Sequence, residues 1–208
     1  MGLIIDPYKF VTIASDYFET LTWTTGGTGV AITGGQCVET AASSNSWNYV
    51  VAPLPSTLSN TTWSFNFDFI FSASVYDING FGLLFTAGTI DPIGSQDMLG
   101  MNKRVGSNNQ MVLGTVSKDG AGALSYGAQN LTLSINTQYY CTIERTSATN
   151  LRLSIFTNES RTTHLTNSPQ NTTISSGIID LTHVMVTTHS NEGGGSVTDI
   201  TDNLKVVS

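Results

Sequence analysis

Five aromatic residues recur at every second position along one stretch of the chain, and this pattern constrains the fold more than any other feature. They are Trp63, Phe65, Phe67, Phe69 and Phe71. Side chains on a β-strand point to opposite faces in turn, so all five rings lie on one face of a strand. Fully burying one Phe is worth about 1.5–3 kcal/mol, so we expect this face to form the wall of a hydrophobic core.

The opposite face of the same strand is polar. It carries Ser64, Asn66 and Asp68, and Ile70 is its one apolar residue. We expect this outer face to meet water or a ligand.

Segments 139–145 and 150–156 predict a β-hairpin across the turn at 146–149. One set of side chains alternates toward the core, comprising Tyr139, Cys141, Ile143, Leu151, Leu153 and Ile155. A second set points the other way, comprising Tyr140, Thr142, Glu144, Arg152 and Ser154. This alternation indicates a second strand pair with one buried face.

Further strands are predicted along the whole chain. They cover 30–32, 36–38, 47–51, 81–85, 111–116, 178–186 and 202–207, with Gly34-Gly35 as a two-residue hairpin turn and 88–109 as the longest loop. No segment has a convincing 3.6-residue period over ten or more positions, so the fold is predicted to be all-β. At 208 residues, the chain is expected to hold one two-sheet domain over 15–208, preceded by an arm over 1–14.

Charge excludes one class of partner. The formal net charge is −7 and only 11% of residues are charged, so no basic stripe is present to neutralise nucleic-acid phosphates. No apolar run is long enough to span a membrane. The N-terminus lacks the basic leader and long apolar core of a signal peptide, so we expect a protein made in a cytoplasm.

The arm over residues 1–14 is more apolar than a free tail. Its candidate anchoring residues are Leu3, Ile4, Ile5, Pro7, Tyr8 and Phe10. Asp6-Pro7 interrupts any helix or central strand. Two interpretations stay open, an edge strand packed on the domain or a peg that inserts into a partner protein.

The order of the elements resembles the concanavalin A-like lectin and glucanase jelly rolls, especially their laminin-G-like branch. The resembling pieces are Asp16-Tyr-Phe-Glu with Trp23, the aromatic strand 63–71, the hairpin 139–156 and the closing Asp202-Asn-Leu-Lys-Val. This resemblance covers about residues 15–208. It implies an antiparallel two-sheet β-sandwich and a lectin-like surface.

The arm carries a second resemblance. Ile-Ile-Asp-Pro-Tyr-Lys-Phe at 4–10 is similar to the opening of many tailed-phage structural proteins, in which a short arm precedes an appended domain. The resemblance implies a virion protein, on the capsid or tail, present in multiple copies and bound to other virion proteins through its arm. The alternative is a carbohydrate-binding module of a cellular glycan-utilisation or adhesion protein.

Catalysis and metal binding are not expected. None of the five Glu begins the Glu-x-Asp-x-x-Glu pattern of the related glucanases, and Asp68 has no acidic neighbour on its own face of the strand. The tight acidic clusters are Asp77/Asn79 and Asp199/Asp202/Asn203. Asp and Asn commonly make turns, so we interpret both clusters as structural and predict no cofactor.

The candidate glycan-binding residues are those on the outer faces of the two strand systems, Asn66, Asp68, Tyr140, Glu144 and Arg152. Sugar sites combine an aromatic platform with planar hydrogen-bonding side chains. The alternative is an ordinary solvated surface that includes a Glu144–Arg152 cross-strand pair.

Two cysteines, Cys37 and Cys141, could form one disulfide. Cys141 alternates with inward-facing residues, so buried free thiols are the favoured interpretation.

Overall fold

The computed structural model describes residues 15–40, 48–75, 78–88, 95–106, 110–188 and 196–207. The arm 1–14 lies outside these described residues, as does Asp77, so their predicted roles stay predictions. The helix is α1 (Tyr17–Thr20). The strands are β1 (Thr24–Gly26), β2 (Val30–Thr33), β3 (Gln36–Glu39), β4 (Asn48–Pro53), β5 (Trp63–Val75), β6 (Ile78–Thr86), β7 (Met98–Gly106), β8 (Gln110–Lys118), β9 (Ser125–Tyr126), β10 (Leu131–Leu133), β11 (Thr137–Ser147), β12 (Asn150–Phe156), β13 (Gln170–Thr173), β14 (His183–Thr188) and β15 (Ser196–Val206).

Two antiparallel sheets pack face to face, which confirms the predicted all-β jelly-roll sandwich. The first sheet has the strand order β1-β4-β14-β6-β7-β8-β10, with β9 paired to β8. The second has the order β13-β12-β11-β5-β15-β3-β2. We call them the eight-stranded and the seven-stranded sheet.

The aromatic strand β5 lies at the centre of the seven-stranded sheet, between β11 and β15. Phe65, Phe67, Phe69 and Phe71 are each fully buried, which confirms the predicted core face. Trp63, at the end of β5, is only partly buried. Residues of the other sheet close the core opposite these rings, among them Leu83, Phe85, Leu99, Met101, Val184 and Val186.

Both predicted hairpins are confirmed. In the second, Cys141 lies opposite Ile155 and Ile143 opposite Leu153. In the first, Gly34 and Gly35 have φ angles of 60° and 80° between β2 and β3. Two consecutive positive φ angles match a type I′ turn, whose twist suits a two-residue hairpin.

The loop predicted over 88–109 is wrong in its second half, because 98–106 form β7. Gly100 and Asn102 suggested a loop, but this strand is paired on both sides, to β6 and β8. Gly100 lies where β6 approaches closely, so that an added Cβ would fall 2.4 Å from the carbonyl oxygen of Leu83. A glycine here permits close packing of two backbones.

The strand predicted over 178–186 begins only at His183, and Asp180 instead has a left-handed φ of 55°. The acidic cluster at 199–203 is also not a turn, since all its residues belong to β15. Asp199 points into the sandwich and is fully buried with Glu39 and Lys103. Cys37 and Cys141 are both buried and both free.

Candidate functional site

The outer face of the seven-stranded sheet brings three central strands together. Antiparallel pairing sets Tyr140 of β11 opposite Asp68 of β5, which in turn lies opposite Asp202 of β15. The next row on this face contains Thr142, Asn66 and Lys205. Cross-strand partners have Cβ atoms about 4.5–5.5 Å apart, so these rows form one continuous polar surface.

A β-bulge in β15 widens this surface. Between Asp202 and Lys205 the register shifts by one residue relative to β5. Asn203 takes a left-handed φ of 54° at this point and its side chain turns toward Asp68, while Leu204 stays fully buried. A bulge re-aims side chains in this way because two residues of one strand oppose one of the other.

Asp68 is the centre of a hydrogen-bond network and not the solvated residue that the strand pattern predicted. Arg161 Nη2 donates to Oδ1 at 2.9 Å, and Asn203 Nδ2 donates to Oδ2 at 2.9 Å. Gln138 Nε2 approaches the same Oδ2 at 3.4 Å. The residue does lie on the outer face, as predicted, but it is only 8% exposed because these side chains cover it.

Burial raises the pKa of the Asp68 carboxyl above its ordinary value. The hydrogen bond from Asn203 and the positive charge of Arg161 oppose this rise. Because an ionised carboxylate accepts hydrogen bonds on both oxygens, the network holds the side chain in a fixed orientation.

Arg161 reaches the sheet from the segment between β12 and β13. Asn158 organises this segment, since its Oδ1 accepts from the backbone N–H of Thr163 at 2.8 Å and its carbonyl accepts from that of Arg161 at 3.0 Å. Arg161 itself has a left-handed φ of 52°. Its guanidinium carbon lies 5.7 Å from the centre of the Tyr140 ring, within the range of a cation–π contact.

These side chains surround an open polar cleft. Its lining consists of Asn66, Asp68, Glu159, Arg161, Asn203 and Lys205, around an empty volume of about 390 Å³. Asn66 uses its Oδ1 to accept from the Thr142 hydroxyl at 2.7 Å, so its amide N–H groups remain available to a ligand. Two cations and two carboxylates balance in charge, which favours a neutral ligand rich in hydroxyl groups over a strongly charged one.

The structure separates the five predicted site residues into two groups. Asn66 and Asp68 line the cleft, and Tyr140 lies beneath Arg161. Glu144 instead pairs with Arg152 at 2.7 Å and lies opposite Ser64, four residues from Asp68 along β5. At about 3.4 Å per residue, the two groups are about 14 Å apart along the strand.

Glu144 lines a second, shallower depression beside the cleft. Its other lining residues include Trp63, Ser64, Thr146 and Val207. Trp63 also borders a neighbouring groove with Tyr17 and several hydroxyl side chains, namely Ser56, Thr57, Ser59, Thr62 and Ser64. A half-buried aromatic ring among hydroxyl groups therefore lies at the end of the sandwich where β5 begins.

Glu159, Arg161, Asn203 and Lys205 were not among the predicted site residues. Arg161 and Glu159 lie in an irregular segment with no periodic signal, and only the folded loop brings them to β5. The bulge in β15 has no strand-pattern signal either. A single Asn at 158 and at 203 is the one feature that marks these places in the sequence.

The acidic residues do not form a metal centre within the described residues, in which no group of three or more His, Cys, Asp or Glu side chains is arranged to hold an ion. Asp199 and Asp202 point to opposite sides of β15, which explains why the sequence cluster is not a cluster in space. No helix among the described residues is long and apolar enough to cross a membrane.

No protein-family model matches the sequence, and no curated protein sequence matches it. Several solved structures do share its fold. A functionally unknown protein from Saccharomyces cerevisiae superimposes with a TM-score of 0.57 at 11% identity, covering 92% of this chain and 97% of that one.

Two further structures have names that describe a binding module or a lectin. The CBM2 module of the evolved Dit of Lactobacillus casei BL23 phage J-1 has a TM-score of 0.55 at 12% identity, covering 89% of this chain and 83% of its own. A legume lectin-like domain from Entamoeba histolytica has a TM-score of 0.57 at 11% identity, covering 89% of each chain. At such low identity these similarities show the fold alone, and that fold is a lectin-like jelly roll.

Proposed function

We propose that this chain is a non-enzymatic structural protein of a phage virion, on the capsid or tail, that displays its jelly roll outward to bind glycans. The arm 1–14 would attach it to other virion proteins, in multiple copies. The observation that carries the binding part is the cleft on the outer face of the seven-stranded sheet. The fold shared with a phage CBM2 module and a lectin-like domain supports the same assignment.

The cleft suits a sugar because its polar groups are planar and held in place. Asn66 offers amide donors, Lys205 offers an ammonium group, and Glu159 offers carboxylate oxygens. Asp68, Asn203 and Arg161 are restrained by their mutual hydrogen bonds. Restrained groups lose little side-chain entropy on binding, which increases the affinity that each hydrogen bond provides.

We expect binding without hydrolysis because of the role that Asp68 has in the cleft. Glycoside hydrolysis requires two carboxyl groups, one as acid and one as base or nucleophile. Asp68 accepts hydrogen bonds from Arg161 and Asn203 on its two oxygens, so its carboxylate has a structural role in the cleft. A glycan that binds should therefore be recovered intact after prolonged incubation, and release of new reducing ends would overturn the non-enzymatic assignment.

A glycan array followed by titration of each hit tests the cleft. Lys205→Ala and Asn66→Ala should each weaken binding by about tenfold, the effect of losing about 1.4 kcal/mol of hydrogen bonding. Tyr126→Ala is the matched control, because Tyr126 is 44% exposed on the eight-stranded sheet. Equal binding by all four proteins would exclude this cleft, and a blank array would exclude the glycan function.

Deletion of residues 2–14 tests the virion part. The shortened protein should remain folded and bind glycans, but it should no longer co-purify with particles from an infected host. Full incorporation without the arm would overturn the anchoring role.

The second candidate is a carbohydrate-binding module of a cellular glycan-utilisation or adhesion protein. Its support is the fold shared with a lectin-like domain from a cellular organism. It predicts the same effects of the cleft substitutions. Gene context distinguishes the two candidates, with terminase or portal genes beside the first and glycan-utilisation genes beside the second.

A further inference from the structure

Three charged side chains meet between the two sheets, away from the cleft. Lys103 on β7 belongs to the eight-stranded sheet, whereas Glu39 on β3 and Asp199 on β15 lie opposite each other in the seven-stranded sheet. All three are fully buried. Lys103 Nζ donates to Asp199 Oδ2 at 2.9 Å and also to Glu39 Oε2.

The cluster has one carboxylate more than it has cations, and half of its carboxylate oxygens lack a donor. Glu39 Oε1 and Asp199 Oδ1 are buried with no hydrogen-bond partner among the described residues. A proton on Glu39 resolves both problems, since it neutralises the excess charge and can be donated toward Asp199. Burial, and next the charge of Asp199, raise the pKa of Glu39 well above its ordinary value.

We propose that Lys103 and Asp199 condense to an intramolecular amide bond, and that Glu39 carries the proton for this reaction. The arrangement presents an amine, a carboxyl carbon one bond beyond the contacting Oδ2, and a carboxyl group that touches the amine. Reacting atoms held about 3–3.5 Å apart by a rigid framework react with high effective molarity. Here the framework is two packed β-sheets.

The reaction balances with no added reagent. Lys103 passes a proton to Asp199, giving a neutral amine and a neutral carboxylic acid. The amine nitrogen attacks Cγ of Asp199 and forms the C–N bond. Glu39 donates its proton to the departing hydroxyl as the C–O bond breaks, and it regains a proton from the nitrogen. The products are an amide and one water molecule.

Burial affects both the reactants and the product of this step. Burial lowers the pKa of Lys103, but the carboxylates beside it together raise the pKa above its ordinary value, so the amine does not lose its proton to solvent. The proton that reaches Asp199 therefore moves within the pair. A low-dielectric surrounding favours the neutral pair that results. The amide is also uncharged, so condensation removes two buried charges and joins the two sheets across 96 residues of sequence.

Mass spectrometry of the full-length purified protein tests the bond. The intact chain should be lighter than its sequence by one water, after allowance for removal of Met1. A protease digest should contain the Lys103 peptide joined to the Asp199 peptide. A wild-type mass equal to that of the sequence, with both peptides recovered separately, would overturn the proposal.

Matched variants distinguish the roles of Lys103, Asp199 and Glu39. Lys103→Met and Asp199→Ala should keep their full masses, whereas Asp199→Asn should lose ammonia and give the wild-type product. Glu39→Gln retains both reacting groups and should also stay unjoined, while circular dichroism reports that it is folded. Complete joining in Glu39→Gln, or a digest in which Lys103 is joined to Glu39, would overturn the role assigned to Glu39.

Discussion

Arg161 Nη2 lies 2.9 Å from Asp68 Oδ1, and this ion pair ties the loop between β12 and β13 to the central strand of the seven-stranded sheet. The side chain of Arg161 is only 22% exposed and that of Asp68 only 10%. The neighbouring pair of Arg152 and Glu144 lies on the same sheet, with side chains 39% and 21% exposed. The two ion pairs should therefore contribute different amounts to the free energy of unfolding.

Asp68→Ala should destabilise the protein by about 1–3 kcal/mol, because it leaves covered donors on Arg161 and Asn203 without an acceptor. Glu144→Ala, which removes the more exposed pair, should cost less than about 1 kcal/mol. Urea unfolding of the two variants beside the wild type gives the comparison. Equal costs would mean that the loop carrying Arg161 does not cover Asp68 in solution.

Phe67→Ala should lower the free energy of unfolding by about 3–5 kcal/mol, since it removes a fully buried ring near the centre of β5. A domain's whole stability is only about 5–15 kcal/mol, so the variant should be barely folded. Phe67→Leu keeps most of the volume and should lose less. Thermal melts measure both, and a mild effect of the Ala variant would contradict the inward register of the aromatic strand.

Stability should fall as pH rises above the ordinary Glu value of 4.5, because Glu39 has a raised pKa in the folded protein. The folded state then holds a proton that the unfolded state has released, so the favourable contribution is lost as pH rises through the folded pKa. Cys37, Lys103 and Asp199 face it, and the last two are titratable only in a chain in which the proposed amide has not formed.

Glu39→Gln should flatten this pH dependence by up to about 1.4 kcal/mol per pH unit, the slope of one proton. Urea unfolding at several pH values between 5 and 9 gives both profiles. Asp68 titrates in the same direction but is present in both proteins. Parallel profiles would mean that Glu39 is ionised in the folded state.

Gly100→Ala should destabilise the protein by about 1–3 kcal/mol, because its Cβ would meet the backbone of β6 and one of the two strands must move. Gly34→Asn is the control. Position 34 has a left-handed φ and no atom within 4 Å of an added Cβ, and Asn tolerates that conformation. Its melting temperature should stay close to that of the wild type.

Much of the fold follows from local pattern. The alternation of Phe65, Phe67 and Phe69 determined a strand and its buried face, since side chains on a strand alternate with a fixed period. The paired glycines at 34 and 35 determined a tight turn for an equally local reason. These features depend on a few adjacent residues, so the sequence alone was sufficient for them.

Only the tertiary structure determined which charged side chains meet between the two sheets and on the outer face of the seven-stranded sheet. Asp68 is covered because Arg161, 93 residues away, folds over it. Lys103 is buried because Glu39 and Asp199 arrive from the opposite sheet with compensating charge. Such contacts join residues far apart in the chain, and no local period encodes them. From the local sequence, a charged residue is predicted to be exposed to solvent unless its distant partners are known. The cleft and the buried cluster could therefore be identified only from the folded chain.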